Sequence, residues 1–119
     1  MDFREMPVLM KEQKENGKKD KYIEITDVLT KAAENVQTKE EKMAYMQALM
    51  GTLEYMDFQI YELYRTLADC FKAVLRELLA DYEALSKEEK HAISDAVKCA
   101  CELRILLAEK YEAYVLEEK

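Results

Sequence analysis

Thr38-Lys39-Glu40-Glu41-Lys42 and Ser86-Lys87-Glu88-Glu89-Lys90 decide the architecture of this chain. Each is a capping box. The hydroxyl of Thr38 or Ser86 can accept from the backbone N–H three residues on, and the carboxylate of Glu41 or Glu89 can reach back to the N–H of the cap residue. Two helix starts follow directly. Between the boxes there is no proline and a single glycine, Gly51. The spacing therefore predicts one long helix over 39–85 and a second over 87–117.

The long segment carries an apolar stripe at Leu49, Leu53, Met56, Ile60, Leu63, Leu67, Cys70 and Val74. Its steps alternate four and three, as in a heptad seam. The apolar phase passes Gly51 without a slip, and no capping box follows it, so a continuous helix of about 70 Å is expected. A shorter helix over 20–37, with Asp20 as N-cap, presents Tyr22, Ile25, Val28, Leu29, Ala32, Ala33 and Val36 on one face. In the last helix Ile93, Val97, Ala100, Leu103, Leu107, Tyr111 and Tyr114 form the inner face. Tight junctions at 38 and 86 fold both shorter helices back onto the long one. The product is an all-α, elongated antiparallel rod with too little interior. A second copy pairing through Leu49, Leu53, Met56, Ile60, Leu63 and Leu67 would complete a four-helix-like homodimer. Were the long helix to bend back at Gly51, the same faces would close into a compact four-helix bundle.

Residues 1–19 read as an N-terminal arm preceding a single helical domain, 20–119. Pro7 can start a short helix and Gly17 can end it. Its apolar cluster, Val8, Leu9 and Met10, either frays or clips onto an apolar groove, here or on a partner.

Composition narrows the function classes. The chain has 119 residues, 25 acids against 18 bases, a net charge of −7, two glycines and one proline. That is the composition of a bundle or coiled coil. The charge sums to +1 over residues 1–19 and is negative in every later segment. No basic stripe suited to phosphate backbones exists, which argues against direct nucleic-acid or anionic-membrane binding. No apolar run approaches the ~20 residues of a membrane span. Three cysteines, with Cys99 and Cys101 two apart on a helix, suit reduced thiols in a cytoplasmic protein rather than a disulfide framework.

The stretch 43–64 is unusual in having no lysine or arginine while holding four methionines, four tyrosines and Phe58. Methionine and aromatics are enriched in interface cores. Most of them fall on the apolar seam. Tyr55 and Phe58, with Gly51, Glu54 and Glu62, lie on a flank the seam does not need, and form the candidate partner-binding surface.

Two Glu-x-x-Asp pairs, Glu24/Asp27 and Glu54/Asp57, could together hold Mg²⁺ on four carboxylates. The arrangement is similar to the Glu-x-x-Glu … Glu-x-x-Asp pattern of all-α NTP pyrophosphohydrolases of the MazG type. That resemblance implies Mg²⁺ binding at Glu24, Asp27, Glu54 and Asp57 and positioning of the substrate's phosphates by the metal. It covers only residues 24–27 and 54–57. The first motif ends in Asp27 instead of glutamate, and no lysine follows closely to meet a phosphate. Glu88-x-x-His91 is half of a di-iron motif, but His91 is the only histidine, and an exposed pair of His91 with Asp95 fits the spacing better.

The reading expected from sequence is thus a small acidic helical protein without catalytic activity or cofactor, which acts by binding a partner protein, with a basic partner as one option. The first alternative is an acidic inhibitor of the virus or phage type that occupies the basic nucleic-acid surface of an enzyme. The second is the Mg²⁺-dependent pyrophosphohydrolase.

Overall fold

Both capping boxes form. The Glu41 N–H donates to Thr38 Oγ1 at 3.1 Å, and the Thr38 N–H reaches Glu41 Oε1 at 3.4 Å. The second box is tighter, with Glu89 N–H to Ser86 Oγ at 3.1 Å and Ser86 N–H to Glu89 Oε1 at 2.8 Å. Lys39 Nζ lies 3.2 Å from Glu89 Oε1, so the two boxes sit side by side at one end of the molecule. Thr38→Ala and Ser86→Ala should each cost about 0.5–2 kcal/mol in thermal or denaturant melts. Ser86→Ala should cost the more, because Glu89 also carries the link to Lys39.

This computed structural model describes residues 2–17, 21–56 and 61–117; the side chains of Tyr61, Leu103, Arg104 and residues 106–117 lie outside that description. Five α-helices follow in order: α1 (Met6–Glu15), α2 (Tyr22–Ala32), α3 (Lys39–Tyr55), α4 (Tyr61–Ala80) and α5 (Lys87–Glu117). Short 3-10 turns occupy Phe3–Glu5 and Tyr82–Ala84, and no strand occurs among the described residues.

The continuous helix over 39–85 is not what forms. α3 ends at Tyr55, and Met56 is extended (φ −77°, ψ 140°). The break is also not at Gly51, which lies inside α3. α4 returns antiparallel to α3: Lys42 Nζ is 3.7 Å from Glu77 Oε2, and the Tyr45 hydroxyl lies beside Cys70. The unbroken apolar phase misleads because an interruption of about one turn leaves the heptad phase of the flanking segments almost unchanged. The usable signal was propensity. Tyr55, Asp57, Phe58 and Ile60 are all middling or poor helix formers, and they cluster there. The expected rod of about 70 Å is replaced by a body of 48 × 31 × 23 Å.

The arm supplies a layer. Pro7 opens α1 and Gly17 follows its end at φ +65°, as the sequence predicts. Met6 and Met10 are fully buried, Leu9 is half-buried, and Val8 points to solvent. The clip is therefore made by Met6 and Met10, with Val8 on the outer side. α1 runs parallel to α3: Phe3 meets Tyr45 edge-on at 5.6 Å, Pro7 sits against Gly51, and Lys11 and Lys14 approach the Tyr55 ring. α2 packs on α1 and α4, so the four helices α1–α4 pack together in a bundle-like arrangement. α5 packs on the other side of α3 and α4. The expected N-cap Asp20 lies outside the described residues.

The core follows these contacts. α4 buries Tyr64, Leu67, Ala68, Phe71, Val74, Leu75 and Leu78 at helical spacing and exposes Glu62, Arg65, Asp69, Lys72 and Arg76. α3 is covered by α1, α4 and α5, and buries Tyr45, Met46, Ala48, Leu49, Thr52 and Leu53. Its polar groups are paired. The Tyr45 hydroxyl donates to the Leu29 carbonyl in the last turn of α2 at 2.7 Å, and Thr52 Oγ1 donates to the Ala48 carbonyl at 2.7 Å.

Of the proposed seam, Leu49, Leu53, Met56 and Leu67 are buried within the single chain and Leu63 is half-buried; Ile60 lies outside the described residues. A second copy is not needed to cover this face, since α1, α2 and α5 pack around α3 and α4.

Candidate functional site

The flank that sequence proposed for a partner is divided by the reversal between α3 and α4. Gly51 is taken up by the chain itself. A Cβ placed there would stand 3.1 Å from Pro7 Cβ, so glycine lets α1 approach α3 closely. Tyr55, on the same face, is half-buried with Lys11 Nζ 5.8 Å and Lys14 Nζ 6.0 Å from its ring centroid. Glu54 is exposed in the last turn of α3 and Glu62 in the first turn of α4. Phe58 lies outside the described residues.

The charge of Glu54 is felt on α5. Burial, followed by the carboxylates of Glu102 and Glu54, holds the Cys99 thiol above its ordinary value. Two acids from different helices thus flank one half-buried thiol. Tyr64 of α4 belongs to the same neighbourhood; burial, then Cys99, pushes its phenol up to about 12. Cys101 and Glu102 are exposed, and so is Ile105, at 57 % of its full surface. Glu54 and Glu102 are exposed at this end of the bundle, and Ile105 lies one turn beyond Glu102 on α5.

The register of α5 sets this arrangement. α5 starts beside Lys39, passes the end of α3 at Cys99, and continues to Glu117, about 27 Å further. Sequence reasoning matched α5 to a longer partner helix and so did not bring it against the end of α3.

Of the alternative metal residues, only three lie among the described residues. Glu24, Asp27 and Glu54 are all exposed, Asp57 lies outside the described residues, and among the described residues no three His, Cys, Asp or Glu side chains are grouped to hold a metal ion. His91 Nε2 pairs with Asp95 Oδ2 at 3.8 Å on the surface, as its spacing suggested. The three cysteines are free. Cys70 is half-buried against Tyr45, and its thiol is raised by burial. No described helix is long and apolar enough to cross a membrane.

Comparisons with protein-family models, curated proteins and solved structures return no match.

Proposed function

We propose that the protein is a non-catalytic helical interaction module that binds a basic protein partner at the end of the bundle where α3 stops, α4 starts and α5 runs on. The observation that carries this reading is that Glu54 of α3 and Glu102 of α5 both act on Cys99, with Ile105 exposed one turn beyond Glu102. An exposed apolar side chain beside an acidic one matches the usual make-up of an interface, an apolar contact inside a charged rim. The acids steer a basic partner, and the apolar contact supplies much of the residence time.

The test is capture of a partner by the intact chain and by two variants. Glu54→Lys with Glu62→Lys reverses exposed charges, and Ile105→Asp removes the apolar contact. All three substitutions are at the surface, so helicity and melting temperature should stay close to wild type. The charge reversal should reduce capture at least tenfold at low salt, and the difference should shrink as ionic strength rises. Capture that persists in both variants would move the site elsewhere. Competition by duplex DNA for the same captured partner would identify that partner's surface as a nucleic-acid channel, the inhibitor version of this function.

A further inference from the structure

α5 outruns the helices it packs on. It has 31 residues, against 17 in α3 and 20 in α4, and α3 and α4 are its packing partners. The last turn of α3 is level with Cys99, where the charge of Glu54 is felt, and Tyr64 of α4 lies beside the same thiol. α4 starts only three residues before Tyr64, so both helices stop by about residue 103 of α5. The backbone of α5 continues as helix from there to residue 117, about 21 Å. The sequence of this extension is not that of a solvated helix, since ten of the fifteen residues 103–117 are apolar. Within the bundle the apolar stripe of α5 is covered: Ile93 is buried, and Val97 and Ala100 are half-buried against the core. In sequence the stripe continues through Leu103, Leu107, Tyr111 and Tyr114. Fifteen residues are marginal as an isolated helix in water, and an apolar stripe that outlasts its own bundle calls for a facing helix from elsewhere.

We propose that the extension of α5, residues 103–117, pairs antiparallel with the same segment of a second copy in a twofold dimer. The occupant is argued from charge. Residues 103–108 carry +1, from Arg104, and residues 109–117 carry −2, from Glu109, Glu112 and Glu117 against Lys110. A basic partner helix would match only the second half, and an acidic one only the first. The segment itself, reversed, matches both: each positive half lies along a negative half, and the twofold axis makes the match twice. A parallel pair would set like on like. The antiparallel register that brings Arg104 of each copy level with Glu117 of the other also brings Leu107 level with Tyr114, so the stripe meets itself. In that register each α5 ends where α3 and α4 of the other copy stop, and neither enters the other's bundle. Ile105, exposed and two residues away from both Leu103 and Leu107, lies off the stripe. The dimer therefore leaves Ile105 to the basic partner proposed above, and does not depend on that reading.

Sedimentation equilibrium of the full chain from micromolar to millimolar concentration tests the pairing. The mass should rise from 14.0 kDa to twice that value, and a monomer mass throughout would overturn the proposal. Leu107→Glu should weaken the dimer at least tenfold and leave the melting of the dilute protein close to wild type. A dimer of undiminished strength would form through another face, and a large drop in the dilute melting temperature would mean that position 107 packs within its own chain; either result overturns the proposal. Orientation is tested by charge exchange. Arg104→Glu and Glu117→Arg should each weaken the dimer, since each sets like charges against one another at both ends, and the two together in one chain should restore it. Failure of the double variant to recover would exclude the antiparallel register.

Discussion

Leu67→Glu should abolish cooperative folding, whereas Leu63→Glu should shift the melting temperature by only a few degrees. Leu67 is fully buried in α4, and Leu63, four residues earlier on the same predicted stripe, is half-buried. Removing a buried leucine costs about 2–5 kcal/mol, and an unpaired carboxylate in its place adds several more. The sum reaches the ~5–15 kcal/mol that a whole domain has in hand. At position 63 the carboxylate can reach water and the penalty is mostly lost packing. The contrast separates the folded-back bundle from a continuous rod, in which both leucines would lie in one seam and both changes would be severe. Circular dichroism melts of the two variants decide it.

The elements that were legible in the sequence are those with local chemistry. Thr38 and Ser86 mark helix starts because a hydroxyl and a glutamate three residues on form a self-contained motif. Pro7 and Gly17 bracket α1 for equally local reasons. His91 with Asp95 follows from one helical turn. What no local motif marks is the reversal after Tyr55, where only helix propensity weakens. It has no proline, glycine or capping box, and its cost is recovered by contacts between residues far apart in the chain, such as Lys42 with Glu77 and Tyr45 with Cys70. The error then spread. A straight helix left a seam uncovered, the seam called for a second copy, and Gly51 with Tyr55 became a surface instead of the seat of α1. Tyr45 shows the same limit. Its hydroxyl partner is the carbonyl of Leu29, 16 residues away, on a helix whose position against α3 only the assembled bundle defines.

Alkaline unfolding should begin near pH 9–10 and be largely complete in the pH 12 region, well before the arginines or the backbone are affected. Four groups act together. Burial raises the thiols of Cys70 and Cys99 from 9.0 and the phenols of Tyr45 and Tyr64 from 10.0, that of Tyr64 to about 12. Each is neutral when protonated, and each binds its proton more tightly in the folded chain than in the unfolded one. Between the unfolded and folded pKa values the unfolded chain has lost the proton and the folded chain still holds it, so stability falls as pH rises. Below pH 9 the contribution is complete. Denaturant midpoints measured under reducing conditions from pH 7 to 12 should therefore stay level and then fall. Tyr45→Phe separates the two things its hydroxyl does. At neutral pH the variant loses the bond to the Leu29 carbonyl and should be about 1 kcal/mol less stable. It also loses one buried group that must ionise, so its stability should decline less steeply above pH 10. The two curves should converge at high pH. Parallel curves would mean that Tyr45 ionises as readily in the folded chain as in the unfolded one, which its burial between Phe3, Leu29 and Cys70 does not allow.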